Sequence, residues 1–143
     1  MIRLLALLFV SLFFSYTLIA QPMPLEEFQW KNRLLLLFDE NTDSHPIKEQ
    51  LLLFEQKQEE LEDRQLLLIR IDQNTVRNQQ GMLITDLEAT AIRKHFSVPD
   101  NQFTVLLIGK DGTKKLTKYH PVSPQEIFSL IDRMPMRQPE MKK

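Results

Sequence analysis

Five consecutive apolar residues, Leu34, Leu35, Leu36, Leu37 and Phe38, stand between Arg33 and the polar stretch Asp39-Glu40-Asn41. A run this short, bounded by charge and turn formers, suits a central strand buried on both faces. Leucine is a weak strand former, so a helix start competes with that reading. The polar break over residues 39–46 favours the strand.

The rest of the chain alternates in the same way. Pro46 suits a first helical position, with Ser44 or His45 at the cap. Ile47, Leu51, Phe54 and Leu61 then fall on one helical face, and the pattern predicts a helix to about Asp63. Residues 65–72 read as a second strand and residues 73–84 as a loop containing Gly81. Thr85 and Glu88 have the spacing of a capping box, which predicts a helix running to about His95. Residues 103–108 form a third strand. The Asp111-Gly112 turn returns the chain through residues 113–119 as a polar edge strand. Ser123-Pro124-Gln125-Glu126 opens the last helix, with Val122 and Ile127 as a hydrophobic staple. Ile127, Leu130, Ile131 and Met134 make its buried stripe, and a proline- and charge-rich tail begins at about residue 135.

The resulting order is β-α-β-α-β-β-α. Helices between the first three strands favour parallel crossovers and a sheet covered on both faces. The final hairpin adds an antiparallel edge, so the expectation is an α/β three-layer sandwich around a mixed four-stranded sheet. A chain of 143 residues suits one domain, spanning residues 21–143.

Residues 1–20 read separately. Arg3 precedes an apolar stretch over residues 4–19, and Ala20 precedes Gln21-Pro22. That is the order of parts in a secretory signal peptide, and it predicts a periplasmic or secreted protein. Anchoring by residues 4–20 is the competing reading, and the stretch is barely long enough to span a bilayer. The net charge is −1 with the leader and −2 without it, which supplies no field for nucleic acid or for anionic lipid. A membrane is expected as a partner only if the leader is retained. Cysteine is absent from the chain. Disulfides, thiolate nucleophiles and cysteine-held metals are thereby excluded.

Two resemblances follow from these residues. Ile71-Asp72-Gln73-Asn74 and residues 105–112 resemble the corresponding thioredoxin segments, and the strand order is similar to the thioredoxin-fold core. More closely, Trp30-Lys31-Asn32-Arg33, Gly109-Lys110-Asp111-Gly112 with Lys115, and residues 131–138 resemble a domain of unknown function. That domain is found in small exported bacterial proteins and in animal sushi-repeat-containing and related extracellular matrix proteins. The resemblance covers residues 24–139, and it implies a thioredoxin-like fold, an extracytoplasmic setting and no established reaction. In thioredoxins the redox motif lies between the first strand and the first helix. Asp43 and Pro46 stand at about the positions of its two cysteines. Asn101-Gln102 stands where a thioredoxin has its cis-proline. Dithiol chemistry is excluded by composition.

Asp43, Ser44 and His45 contain the residue types of a triad, but neighbours in one loop rarely face each other, and a helix N-terminus uses Asp and Ser as caps. Anion binding at that helix start is the better alternative. His45, His95 and His120 lack short-range metal spacing, which favours surface or packing roles. Met134, Met136 and Met141 are soft ligands in principle, but packing accounts for them more simply. Arg33, Asp132 and Arg137 can pair across the fold and fix the tail, although a solvated face is the default for such charges. Trp30 with Phe28 reads as a lid on the core, or as a contact patch if exposed. Lys110, Asp111 and Lys115 complete the family-motif residues.

The sequence therefore predicts an exported, cysteine-free module of unknown molecular function, without a cofactor or metal, with a non-catalytic binding or structural role in the cell envelope and an envelope or extracellular protein as its partner. Its alternatives are an enzyme with non-cysteine chemistry at the loop 41–46 or near Lys110 and Lys115, and a membrane-anchored accessory subunit.

Overall fold

The computed structural model describes residues 23–143, so the leader, its cleavage after Ala20 and its anchoring alternative lie outside the described residues. Strand β1 (Arg33–Phe38) is buried at all six positions, including Arg33. It is the centre of a five-stranded sheet ordered β3-β2-β1-β4-β5, with β2 at Leu66–Ile71, β3 at Val76–Asn78, β4 at Thr104–Ile108 and β5 at Lys114–Lys118. The mixed α/β architecture matches the expectation, with one strand more than the four counted in the sequence.

Helices α1 (His45–Phe54), α2 (Gln58–Asp63) and α4 (Pro124–Asp132) cover one face, and α3 (Ala89–Phe96) covers the other. Alternate β1 residues serve the two cores. Leu35 and Leu37 meet Ile47, Phe54, Leu61 and Ile127, while Leu34, Leu36 and Phe38 meet Ala89, Ile92 and Phe96. Among the described residues no helix is long and apolar enough to cross a membrane.

Five local expectations change. First, the third expected strand is not reached by a parallel crossover. β1 pairs parallel with β2 but antiparallel with β4, with Phe38 opposite Thr104. Second, the helix expected over residues 46–63 is two helices. No proline or glycine marks the break, and the two pieces hold Phe54 and Leu61 in the same core. Third, part of the expected loop 73–84 is β3, which pairs antiparallel with the end of β2.

Fourth, Thr85 and Glu88 form no capping box, and α3 starts at Ala89 without a side-chain cap. The Ile84 amide donates to Val76 O at 2.8 Å and Leu83 bridges Arg77, so the preceding residues are held extended. The same motif works at α4, where Ser123 Oγ accepts from the Glu126 amide at 3.2 Å and no strand competes for the segment. Fifth, the tail folds back as a short helix, α5 (Arg137–Glu140).

The Asp111-Gly112 turn forms as read. Gly112 has φ +78°, which a residue with a Cβ adopts only at a cost, and the Gly112 amide donates to Gly109 O at 3.0 Å.

Candidate functional site

The C-terminal end of β1 opens into the loop 41–46, the position expected of an active site in this strand order. Three of its polar side chains, Asn41, Asp43 and Ser44, are engaged in holding the loop. Asn41 Oδ1 accepts from the Asp43 amide at 2.8 Å. Ser44 caps α1, accepting from the Ile47 amide at 3.4 Å. Asp43 accepts from Arg70 at 2.8 Å, and Arg70 also donates to Gln79 O. His45 points to solvent, 91% exposed, with Glu49 Oε2 4.0 Å away. The three residue types of a triad are adjacent, but Asp43 meets Arg70, Ser44 meets the Ile47 amide and His45 meets solvent, and no hydrogen bond among the described residues joins the three.

Behind the loop lies Arg93, which the sequence reading missed. It is buried, and its guanidinium donates to Asp39 O at 2.8 Å, Asp72 O at 3.1 Å and Pro99 O at 3.2 Å. Burial is the largest influence on its pKa and lowers it, against the opposing charges of Asp100, Asp72 and Asp39. A sequence signal existed: Arg93 is the third of the four residues on the buried helical face Ala89, Ile92, Arg93, Phe96.

The family-motif residues gather at the opposite end of β1. Arg33 is 1% exposed and donates to Arg64 O at 2.8 Å and to Glu140 at 3.1 Å. Lys110, also buried, donates to the same Glu140 carboxylate and to Gln65 Oε1. Arg137, 2% exposed, bonds Asp132 Oδ1 at 3.1 Å, Asp63 O at 2.7 Å and the Asp63 carboxylate. Arg64 grips Asp132 with two hydrogen bonds, at 3.1 and 2.7 Å, and lies over the Phe128 ring at 4.4 Å. Four cations and three carboxylates thus join β1, α2, the β4–β5 turn and α4 to the tail helix. The solvated face that such charges take by default gives way to a buried latch, because α5 brings Glu140 to Arg33 from far along the chain. Arg64, Asp63 and Glu140 had no sequence signal of this role.

The remaining sequence candidates have local roles. Asp111 accepts from Lys115 at 2.9 Å and from the Thr113 amide at 3.0 Å, which fixes the hairpin turn. Trp30 is 62% exposed and therefore not a lid, while Phe28 packs against the α3-side core. The Trp30 amide donates to Lys110 O at 2.6 Å. Met134 packs on the core, whereas Met136 and Met141 are exposed. His120 is exposed and His95 meets Phe96 edge-on. Among the described residues no group of three or more His, Asp or Glu side chains is placed to hold a metal ion.

The latch sets an acid limit on stability. Burial acts first on Asp132 and Glu140 and raises both pKa values. Hydrogen bonds and charge from Arg64 and Arg137, and from Lys110 and Arg33, outweigh it and leave both carboxyls below their ordinary values. A carboxyl with a depressed folded pKa contributes stability above its unfolded value and loses it as pH falls through the folded one. Asp72 and Asp111 are lowered as well, net of burial, by hydrogen bonds with Asn74 and Thr75, and with Lys115 and Thr113. The urea midpoint is therefore expected to hold flat near neutrality and to fall below the ordinary carboxylate range. The double variant Asp132→Asn, Glu140→Gln is expected to start lower and to show a shallower acid decline. An unchanged acid slope would detach the latch from this behaviour.

The family described as Domain of unknown function (DUF4174) matches residues 24–140. No curated protein matches the chain. Among solved structures the chain is similar to the reduced 2-Cys peroxiredoxin of Plasmodium vivax, with TM-score 0.54 and 17% identity over 83% of this chain and 85% of that one. It is also similar to thioredoxin peroxidase I of Plasmodium yoelii, with TM-score 0.57 and 15% identity over 80% and 79%. At these identities the likeness shows the fold alone, and that fold is thioredoxin-like.

Proposed function

We propose that this chain, which belongs to the family described as Domain of unknown function (DUF4174), is an exported, non-catalytic thioredoxin-like module that binds another protein of the cell envelope. Export is inferred from the order of charge, apolar stretch and Ala20 in residues 1–20, and from the resemblance to domains of extracellular matrix proteins. The peroxiredoxin neighbours do not carry their chemistry to a chain without a thiol.

The observation that supports binding is the placement of apolar surface. Leu52, Leu67, Met82 and Leu83 are between 40% and 68% exposed. Leu52 and Leu67 line two adjoining grooves that share Gln58, Gln79 and Gln80, and Met82 and Leu83 follow the turn closing them. Apolar surface concentrated in this way marks interaction sites.

A photo-crosslinking residue at position 52 or 82, in the exported protein within its native envelope, is expected to yield a discrete protein adduct. The same residue at exposed Gln125, on α4, is expected to yield none. Leu52→Ser with Met82→Ser should abolish the wild-type phenotype, whereas the triple variant Asp43→Ala, Ser44→Ala, His45→Ala should retain it. The reverse pattern would replace binding by catalysis in the loop.

A further inference from the structure

We propose that the outer edge of β2, over residues 66–68, seats an extended basic peptide of the partner, which adds to the sheet as a further strand. This deepens the binding reading above and rests on it. The pairing of β3 reaches only Ile69, Arg70 and Ile71. Ahead of it, Leu66, Leu67 and Leu68 have a strand neighbour on the β1 side alone.

The parallel ladder fixes which groups are free. The Arg33 amide donates to Gln65 O at 2.8 Å and the Asp39 amide to Ile71 O at 3.2 Å, so odd-numbered β2 residues turn their backbone polar groups to β1. Those of Leu66 and Leu68 face outward. A groove of about 400 Å³ runs along them, lined among others by Phe28, Gln58, Glu62, Leu67, Gln79 and Ile84.

The two edges of the sheet differ. β5 has three lysines in five residues, the usual protection against strand addition. The β2 edge reads Leu66-Leu67-Leu68, with no charge, proline or bulge. Leu66 and Leu68 are only 3% and 2% exposed, but they have no strand partner on this side and line the groove, and an edge of this kind suits main-chain recognition of an extended segment that enters the groove.

Charge selects the occupant. Helix α2 borders the groove and carries four acids in six residues. Exposed Glu59 and Glu62, and Glu55 just before them, form no ion pair among the described residues, while Glu60 pairs with Lys57 at 3.1 Å. A second copy of this chain would bring the same acids to the same rim. A strand with basic side chains is attracted, and its main chain satisfies the Leu66 and Leu68 groups.

Short peptides of alternating lysine and valine, and of alternating glutamate and valine, test this against the full chain. The lysine peptide is expected to bind roughly tenfold more tightly and to slow amide exchange at Leu66 and Leu68. Its N-methylated form is expected to lose binding. Glu59→Lys with Glu62→Lys should invert the preference, and the edge variant Leu67→Lys should abolish lysine-peptide binding. Equal affinities, binding without slowed exchange at Leu66 and Leu68, or self-association through this edge would overturn strand addition. If crosslinks from positions 52 and 82 persist in Leu67→Lys, strand addition falls and the module's binding role stands. If those crosslinks are absent as well, both fall.

Discussion

Arg137→Ala is expected to lower the unfolding free energy by about 2–4 kcal/mol and to release the tail. Arg137 is the pin of the latch, bonding Asp132, the Asp63 carbonyl and the Asp63 carboxylate, with Glu140 3.6 Å away. Its removal does not return those acceptors to bulk water. Asp132 stays beside Arg64, and Glu140 stays beside Arg33 and Lys110 with its helix untied. Breaking one member of a buried network costs more than the network is worth as a whole, because the survivors stay desolvated. One term is discounted: the Asp63 side chain is 60% exposed and can turn to solvent, so that pair adds little.

Arg137→Met keeps most of the aliphatic stem and none of the donors, so it should recover only the packing share. Arg133→Ala is the control. Arg133 is exposed and its side chain makes no hydrogen bond among the described residues, and its cost should stay within about 0.5 kcal/mol. Urea unfolding followed by circular dichroism reads all three. Equal midpoints for Arg137→Ala and wild type would reduce the latch to a surface decoration.

Legibility in the sequence followed the range of the interaction. Residues 34–38 announce a doubly covered strand because burial on both faces removes alternation, and all of β1 is buried. Ser123 and Pro124 announce α4 because a cap is local chemistry. Thr85 and Glu88 carry the same local signal and fail, since the bond between Ile84 and Val76 overrides it. β3 has three residues and exists only through its neighbour, so no periodicity could reveal it. The charged residues were hardest to read. Arg and Lys are rarely buried, and Arg33 finds Glu140 at a separation of 107 residues. Composition excluded thiol chemistry, but only the folded loop shows what Asn41, Asp43 and Ser44 hold instead.

Arg93→Met is expected to cost about 2–4 kcal/mol, concentrated at the opposite end of the sheet. The C-terminal ends of β1 and β2 and the turn before β4 leave main-chain oxygens with no strand to pair them. Arg93 donates to one from each segment, at Asp39, Asp72 and Pro99, and its guanidinium lies 5.4 Å from the Phe38 ring centroid. Methionine fills similar volume without a donor, so three carbonyls, two of them on the half-buried Asp39 and Asp72, lose their partner at once. Lysine at the same position has the charge but not the planar fork, and one ammonium cannot span three segments, so Arg93→Lys should recover only part of the loss. Amide exchange separates local from global effects. The Asp39 amide, bonded to Ile71 O, is expected to exchange faster in Arg93→Met than the global loss accounts for, and the amides of α4 no faster. Uniform acceleration, or full rescue by lysine, would mean that Arg93 contributes bulk and charge rather than a tie between strands. In this chain that tie stands behind the loop where a redox member of the fold would hold its thiols, so the end of the sheet that does chemistry elsewhere is here stabilised by main-chain hydrogen bonds to a buried guanidinium.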